Sequence, residues 1–555
     1  MRRLRILLTA LLCASNLSCT DAGPQAVVTP SAPPRPVGEQ TTTTGPAAPQ
    51  PPARPVAPTV KPVALYTTGL GTFTRAISSK NAEAQAFFNQ GFQMMYSFAK
   101  PEAVASFREA WKRDPTCAIC YWGEAWSWGS YLNAPMSPDE APAAHEAAQK
   151  ARALIAHASP VERALIEAIA TRYPASFDVA RRVEYDRAYA DAMQKVSEMY
   201  PADLEVGTLY ADALFLLEPR RGSRDATQPS VRRLHAELER ILTMNIRHPG
   251  ACHLYVHATE STQVPGLAEP CAEFLGNAIP GASHMNHMPS HTWNEIGRWG
   301  DSVRANIQAW HSDLKAAVGE GFAIYPSHNL HMLLYAASMD GQGAIAIQAA
   351  KDYAKLTGDS MFHAMTLIRF GRFDEVSAVS PRPRADVSAG LWEFSRGYAA
   401  LRLGDTAAAV KSLESVRQIA ATSKGGFRFH TAPQLLGVVV AILEGEIART
   451  SGDMPGAITA FERAVEMDDA LQYDEPEALP FAARHWLGAA LLEVKRAADA
   501  ERVYRAELED HPRNGWSLMG LRLALIAQGK TTTDVDADFE ASWARSDTWI
   551  RTSRF

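Results

Sequence analysis

Cysteine is scarce in this chain, six residues of 555, and neither sign of charge dominates: 21% of residues are charged and the formal net charge is -6. Without a basic excess there is no broad cationic surface, and nucleic acid is excluded as an expected partner. No stretch alternates apolar and polar residues long enough for a strand, which argues against a separate α/β domain. The apolar run from Ile6 to Leu12 is too short to cross a membrane. Several motifs also lack a defining residue. Cys117-Ala118-Ile119-Cys120 is followed by Tyr121, not by the histidine that c-type haem attachment needs, and no strand precedes it as in thioredoxin-like motifs. Gly529-Lys530-Thr531 lacks the glycine that opens a P-loop. Asp534, Asp536 and Asp538 imitate a calcium loop, but Phe539 replaces its turn glycine and Arg545 its closing glutamate. These acids are better read as lying near the N-terminus of a last helix.

What is present begins with an address. Arg2, Arg3 and Arg5 precede the run from Ile6 to Leu12 and small residues follow, the order of an export signal. Asn16-Leu17-Ser18-Cys19 resembles a bacterial lipobox, which implies lipidation of Cys19 and, with Thr20 next, an outer-membrane location; cleavage and release into the periplasm is the alternative. From Pro24 to Pro62 the chain holds 12 of its 35 prolines and almost no large apolar side chain, so it is expected to form an extended, disordered tether. The expected division is a signal peptide at 1–19, the tether at 20–63, an N-terminal helical region with the histidine-rich site at 64–316, and a C-terminal repeat region at 317–555. In an oxidising envelope Cys117, Cys120, Cys252 and Cys271 are expected to form disulfides, although Cys252 beside His253 could also serve as a soft metal ligand.

The body reads as a helical repeat array. Gly91, Ala103, Phe107, Ala110 and Pro115 fall on the offsets of a tetratricopeptide (TPR) repeat. Gly397, Ala409 and Leu413 repeat the register, as do Gly445, Ala457, Phe461 and Ala464, and Gly488, Ala500, Tyr504 and Pro512. The small residues let two helices approach and the aromatic one fills the space between them. Between Ser137 and Arg247 the signature fades while Pro160, Pro174, Pro201 and Pro219 punctuate segments that stay helical in pattern. The fold class expected is all-α, a TPR-type α-solenoid of stacked helical hairpins.

Six of the 16 histidines lie between His248 and His291, where an even spread would place about one. His253 and His257 are followed, 34 positions later, by His287 and His291, and 34 is the TPR period. Stacked repeats would therefore set one pair against the other. On a helix, residues four apart differ by about 40° and residues seven apart by about 20°, so His253, His257 and Glu260 share a face. That suits two imidazoles on one metal, with Glu260 as ligand, orienting carboxylate or catalytic base. Pro289 predicts a helix starting there, which disfavours the α conformation for Met288 and leaves His284 and His287 in the connection before it. His328 and His331 bring a third histidine-bearing helix, while His311 and Asp313 are expected to face elsewhere. Burying so many neutral imidazoles together requires a partner for each ring nitrogen, and a transition metal such as copper, zinc or iron is the common one.

These residues also resemble a group of bacterial exported tetratricopeptide-repeat proteins. The resemblance spans Asn81 to Phe555 and rests on Asp114-Pro115 with the following CAICYWGEA, on His248-Pro249-Gly250 with His253 and His257, on His287-Met288-Pro289-Ser290-His291, on His328-Asn329-Leu330-His331, and on the closing Ser553-Arg554-Phe555. It supplies a fold and no activity. Where the pattern often carries arginine four residues after its last HMPSH histidine, this chain has Glu295, which adds a carboxylate to the site.

Three functions are compatible with these residues. The first is an envelope-tethered scaffold that binds a protein or peptide on its concave surface and holds a metal through His253, His257, His287, His291, His328 and His331. The second is a metal-dependent hydrolase or oxidase on the same scaffold, with Glu260 as its catalytic base. The third is a structural assembly factor without metal. Fold alone does not choose among them.

Overall fold

A computed structural model describes residues 60–219 and 222–555. Among these residues are 24 α-helices and one short hairpin of strands. The N-terminal part runs α1 (Ala82–Tyr96), α2 (Lys100–Arg113), α3 (Ala118–Trp128), α4 (Ala141–Ala153), α5 (Pro160–Ala170), α6 (Arg182–Met199), α7 (Leu204–Phe215) and α8 (Pro229–Met244). The histidine-bearing segment follows as α9 (Pro249–Thr259), α10 (Glu269–Leu275), α11 (Ser283–His287), α12 (Pro289–Glu295), α13 (Trp299–Ala316) and α14 (Pro326–Met339). Then come α15 (Gly343–Thr357), α16 (Met361–Arg369), α17 (Asp386–Arg402) and α18 (Thr406–Thr422), followed by β1 (Gly426–Phe427) and β2 (His430–Thr431). The chain closes with α19 (Ala432–Thr450), α20 (Met454–Asp469), α21 (Arg484–Glu493), α22 (Ala497–Asp510), α23 (Gly515–Ala527) and α24 (Thr533–Trp543).

Helices adjacent in sequence pack against each other along the chain, the arrangement of a TPR-type solenoid. The packing follows from the repeat residues. A Cβ on Gly91 would lie 2.8 Å from the Phe107 ring, and one on Gly445 would lie 2.3 Å from the Phe461 ring. Glycine at these positions is what lets the paired helix bring its aromatic side chain inside. Ala103, Phe107, Ala457, Phe461, Ala500 and Tyr504 are accordingly all fully buried. Helix starts are set by local chemistry: Asn81 caps α1 by accepting from the Glu83 and Ala84 amides, and Ser159 forms a capping box with Glu162 just before Pro160 opens α5. Asp534 and Asp536 do lie in the first turn of α24.

The apolar side chains form two large cores. One runs from Phe87 to Ile324, and the other is built from Trp299, Val303 and residues from Leu330 to Phe555. The last residues belong to the second core: the Phe555 ring sits 4.8 Å from Trp486 and 5.3 Å from Tyr398. No helix among the described residues is long and apolar enough to cross a membrane.

One local expectation is corrected. Met288 adopts φ -51° and ψ -37°, squarely α, although Pro289 follows it. Its side chain is fully buried in the first core, and that packing outweighs the usual steric preference before proline. His284 and His287 therefore sit on a helical turn, α11, that leads directly into α12, and not in a loop. Cys19 lies outside the described residues.

Candidate metal centre

The His-Pro-Gly motif is the device that aims α9. His248 caps the helix, its Nδ1 accepting the Ala251 amide at 3.1 Å, and Pro249 occupies the first turn. Gly250 lets the backbone approach α1, since a Cβ there would lie 2.3 Å from the Tyr96 ring. One turn later His253 meets the end of α1, where its Nδ1 donates to the Tyr96 carbonyl at 2.6 Å. His257 follows on the same face and donates from Nδ1 to Glu260 Oε1 at 2.8 Å.

The 34-residue echo places His257 beside His291, with ring centroids 5.2 Å apart. His253 finds His284 at 4.9 Å, while His284 neighbours His287 at 5.6 Å. His287 packs on His291 at 4.6 Å and on His328 at 4.7 Å. Six imidazoles thus form one continuous cluster contributed by α9, α11, α12 and α14. Potential ligand atoms within 4.8 Å of one another fall into three groups: His253, His257 and His284; His287, His291 and His328; and His257, Glu260, His291 and Glu475.

Hydrogen-bond accounting shows which nitrogens are committed. The Tyr96 carbonyl and the Glu260 carboxylate can only accept, so the Nδ1 atoms of His253 and His257 carry their protons and their Nε2 atoms are bare. Both Nε2 atoms are buried without a partner, and His284 has neither nitrogen partnered. Each orphaned group of this kind costs about 1–3 kcal/mol. His287 Nδ1 faces Asn306 Oδ1 at 2.9 Å, and His291 Nδ1 faces Glu260 Oε2 at 2.5 Å and Glu475 Oε2 at 3.2 Å. Their Nε2 atoms then meet each other at 2.7 Å.

Electrostatics separates one histidine from the rest. Burial lowers His257 to about 3, with the His291 charge adding to the effect. Burial likewise drives His253, His284, His287 and His328 well below the usual imidazole value, again with help from neighbouring imidazoles. His291 goes the other way. Burial opposes its charge, but the Glu260 and Glu475 carboxylates prevail and raise it to about 10. In the absence of a metal, a proton shared between His287 and His291 accounts for their short contact.

Two cavities adjoin the cluster, and His291 lines both. A 570 Å³ cavity is lined by eight carboxylate side chains, among them Glu260, Glu295, Glu475 and Glu477, together with His291. A second, of 420 Å³, is lined by His257, His284, His291, His328 and His331 and by Tyr131, Tyr325, Tyr353, Phe427, Phe429 and Tyr473. Backbone strain gathers at the same place. Of five non-glycine residues with positive φ among the described residues, three touch the cluster. Phe98 packs at a tilt on His253 at 4.2 Å, Tyr325 meets His284 edge-on at 5.3 Å, and Arg428 approaches His328 Nδ1 at 3.4 Å. Left-handed conformations at such bulky residues persist where surrounding structure enforces them, commonly at functional sites.

Of the residues expected at the site, His253, His257, His287, His291 and His328 come together, with Glu260 between them. His331 does not join a metal-sized group: its ring lies 4.3 Å from Phe362 and it lines only the aromatic cavity. Glu295 lines the acidic cavity and stays outside the three groups. Glu260 is not positioned as a free base, because each of its oxygens holds an imidazole. Asp313 turns from the cluster to accept from Asn329 at 2.8 Å. Sequence reasoning missed two members. His284 falls outside the 34-residue echo, and only its place in the run SHMNHMPSH hinted at it. Glu475, in the 470–483 segment between α20 and α21, carries no local signature. The four cysteines among the described residues are paired as Cys117–Cys120 and Cys252–Cys271, so Cys252 is withdrawn as a metal ligand and instead ties α9 to α10.

No family model matches the chain, and no curated protein matches it. Among solved structures, human IFIT1, solved as a dimer with m7Gppp-AAAA, aligns over 77% of this chain and 90% of its own, at 10% identity and a TM-score of 0.32. The APC/C hetero-tetramer Cut9-Hcn1 aligns over 84% and 88%, at 13% identity and a TM-score of 0.28. Yeast Tom70 aligns over 85% and 93%, at 12% identity and a TM-score of 0.26. Similarity at this level says nothing about ligand, partner or activity; the TPR-type architecture rests on the helix pairing and repeat packing described above.

Proposed function

We propose that the protein is a TPR-type scaffold that binds a transition-metal ion, zinc or copper before iron, through His253, His257 and His284. The observation that carries this reading is the set of bare, buried nitrogens. His253 Nε2, His257 Nε2 and both nitrogens of His284 have no partner, while Tyr96 and Glu260 hold the opposite edges of the first two rings. A backbone carbonyl or carboxylate behind a ligating imidazole is the usual way a metal site fixes its histidines. The ion would supply the missing partner for three rings at once. The two disulfides support an oxidising compartment. Within this reading the export signal and lipidated Cys19 hold the protein in the cell envelope, and the solenoid presents the metal to a protein or peptide partner.

The test is elemental analysis of tag-free protein after mild dialysis. Stoichiometric metal is expected in the wild type and is expected to vanish in a His257→Ala, His291→Ala double variant. Metal-free wild-type protein whose thermal stability does not change on adding Zn2+ or Cu2+ would sink the reading and leave a structural assembly factor. A second reading, a metal-dependent enzyme, is favoured by the 420 Å³ cavity, whose wall includes His257, His284, His291 and His328. A metal that keeps an exchangeable water supports it, and a closed four-ligand site opposes it.

A further inference from the structure

The proposed function uses three histidines and leaves an equal set unexplained. We infer that His287, His291 and His328 hold a second ion of the same class beside the first, so that the protein carries a two-ion centre. This rests on reading His253, His257 and His284 as a metal site and extends it.

The argument is one of donors and acceptors. Asn306 anchors its Nδ2 on the Ser302 carbonyl at 2.8 Å, so its Oδ1 faces His287 and places the proton on His287 Nδ1. Glu260 and Glu475 do the same for His291 Nδ1. Both Nε2 atoms are then lone-pair acceptors, yet they point at each other across 2.7 Å. Two acceptors that close require a cation between them, a proton or a metal ion. An ion with bonds of about 2.0–2.1 Å to each nitrogen would hold them roughly 3.3 Å apart in tetrahedral geometry, so opening the gap by roughly 0.6 Å makes room for it. His328 completes the set from α14, its ring 4.7 Å from His287 and 5.8 Å from His291. Its contact with Arg428 at 3.4 Å is at the outer edge of a hydrogen bond, and Arg428 is independently held by Asp474 and the Glu475 carbonyl.

Glu260 joins the two halves. One of its oxygens orients His257 from the first trio, and the other orients His291 from the second. It is therefore a positioning residue for both ions. Glu260 and Glu475 also provide negative charge where two cations would be buried together. A single ion held by His257, Glu260, His291 and Glu475 is the competing arrangement. Ligation through the Nδ1 atoms would strip their protons and break the bonds to Glu260, while leaving the Nε2 atoms of His253 and His257 buried and bare. The two-trio arrangement satisfies these atoms without disturbing a single Nδ1 contact. It also places two imidazoles of each trio on the aromatic cavity, so one small molecule there would reach both ions.

The experiment uses the full chain without a histidine tag, stripped with chelator and titrated with Zn2+, the bound metal being counted after gel filtration. Two ions per chain are expected for the wild type, and one each for His328→Gln and His253→Gln, with circular dichroism confirming the fold. Glu260→Gln is expected to weaken both ions by about 10–100-fold. A single ion lost with His253→Gln and indifferent to His328→Gln would overturn the second site while the proposed function stands. A single ion lost with Glu475→Gln would overturn it in favour of the carboxylate arrangement. No bound ion at all would remove both readings. A readout that needs no variant is the spin count of Cu2+-loaded wild type. Magnetic coupling that reduces the signal below the copper counted supports the pair, whereas an uncoupled signal from one copper per chain overturns it.

Discussion

His291 is the one ring of the cluster held by two carboxylates, Glu260 and Glu475, and the contrast with its neighbours sets how the metal-free protein responds to pH. His257 is held at about 3, against an unfolded value of about 6.5. As pH falls, the unfolded chain takes up the proton first, so stability present above about pH 6.5 is lost toward about pH 3. His253, His284, His287, His328 and His331 are shifted in the same direction, chiefly by burial. His291, raised to about 10 by Glu260 and Glu475 against the effect of burial, has the opposite sign. Its contribution is complete below about pH 6.5 and is lost as pH rises through about 10. Elsewhere His485 and His511 shift in opposite directions. Six rings outweigh one, so the Tm of chelated protein should fall steadily from about pH 7 to about pH 4. Scanning calorimetry across that range checks this, and a flat profile would show that the rings are not buried neutral. The identities of these histidines were legible in the chain, but not their partners. A carboxylate such as Glu475, nearly two hundred residues from its target, has no local mark.

At the scale of elements, α9 is fixed from three sides: by its His248 cap, by Gly250 against Tyr96, and by the Cys252–Cys271 bridge to α10. That disulfide encloses a sequence separation of 19, against 3 for Cys117–Cys120. Loop-closure entropy then predicts that a Cys252→Ser, Cys271→Ser variant loses about 3 kcal/mol, and the Cys117→Ser, Cys120→Ser variant less. Because Cys252 adjoins His253, the first variant should also bind metal more weakly, while the second should bind as wild type does. Denaturant melts and metal titrations of the two variants decide it; equal losses would show that the bridge does not hold α9. The repeat helices were readable because Gly-to-aromatic pairs such as Gly91 with Phe107 and Gly445 with Phe461 recur at a fixed spacing. The α11 to α12 junction was not, since local sterics before Pro289 point one way and burial of Met288 points the other.

At the scale of the whole molecule, the centre lies where the two apolar cores meet. Met285 and Met288, beside His284 and His287, belong to the first, whereas Leu330 and Leu333 of α14, following His328, belong to the second. Metal held jointly by α9, α11, α12 and α14 would link them. Saturating Zn2+ at about a thousand times its Kd should stabilise the fold by about 4 kcal/mol, and the gain should vanish on chelation. Unfolding followed by circular dichroism and by tryptophan fluorescence should shift together, because the tryptophans occupy both cores, as Trp122 and Trp486 show. A shift in one probe only would confine the metal's influence to one core.

The chain by itself determined the all-helical repeat, since pairing of neighbouring helices is a local matter written at a constant period. It also announced a histidine cluster, because four of its rings ride on that period. Which nitrogens are bare, that His284 and Glu475 join the cluster and His331 does not, and that Glu260 divides its two oxygens between two sets of rings were decided only by the tertiary structure. Those facts depend on distances between elements that the chain brings together from far apart, and burial then makes each missing hydrogen bond count.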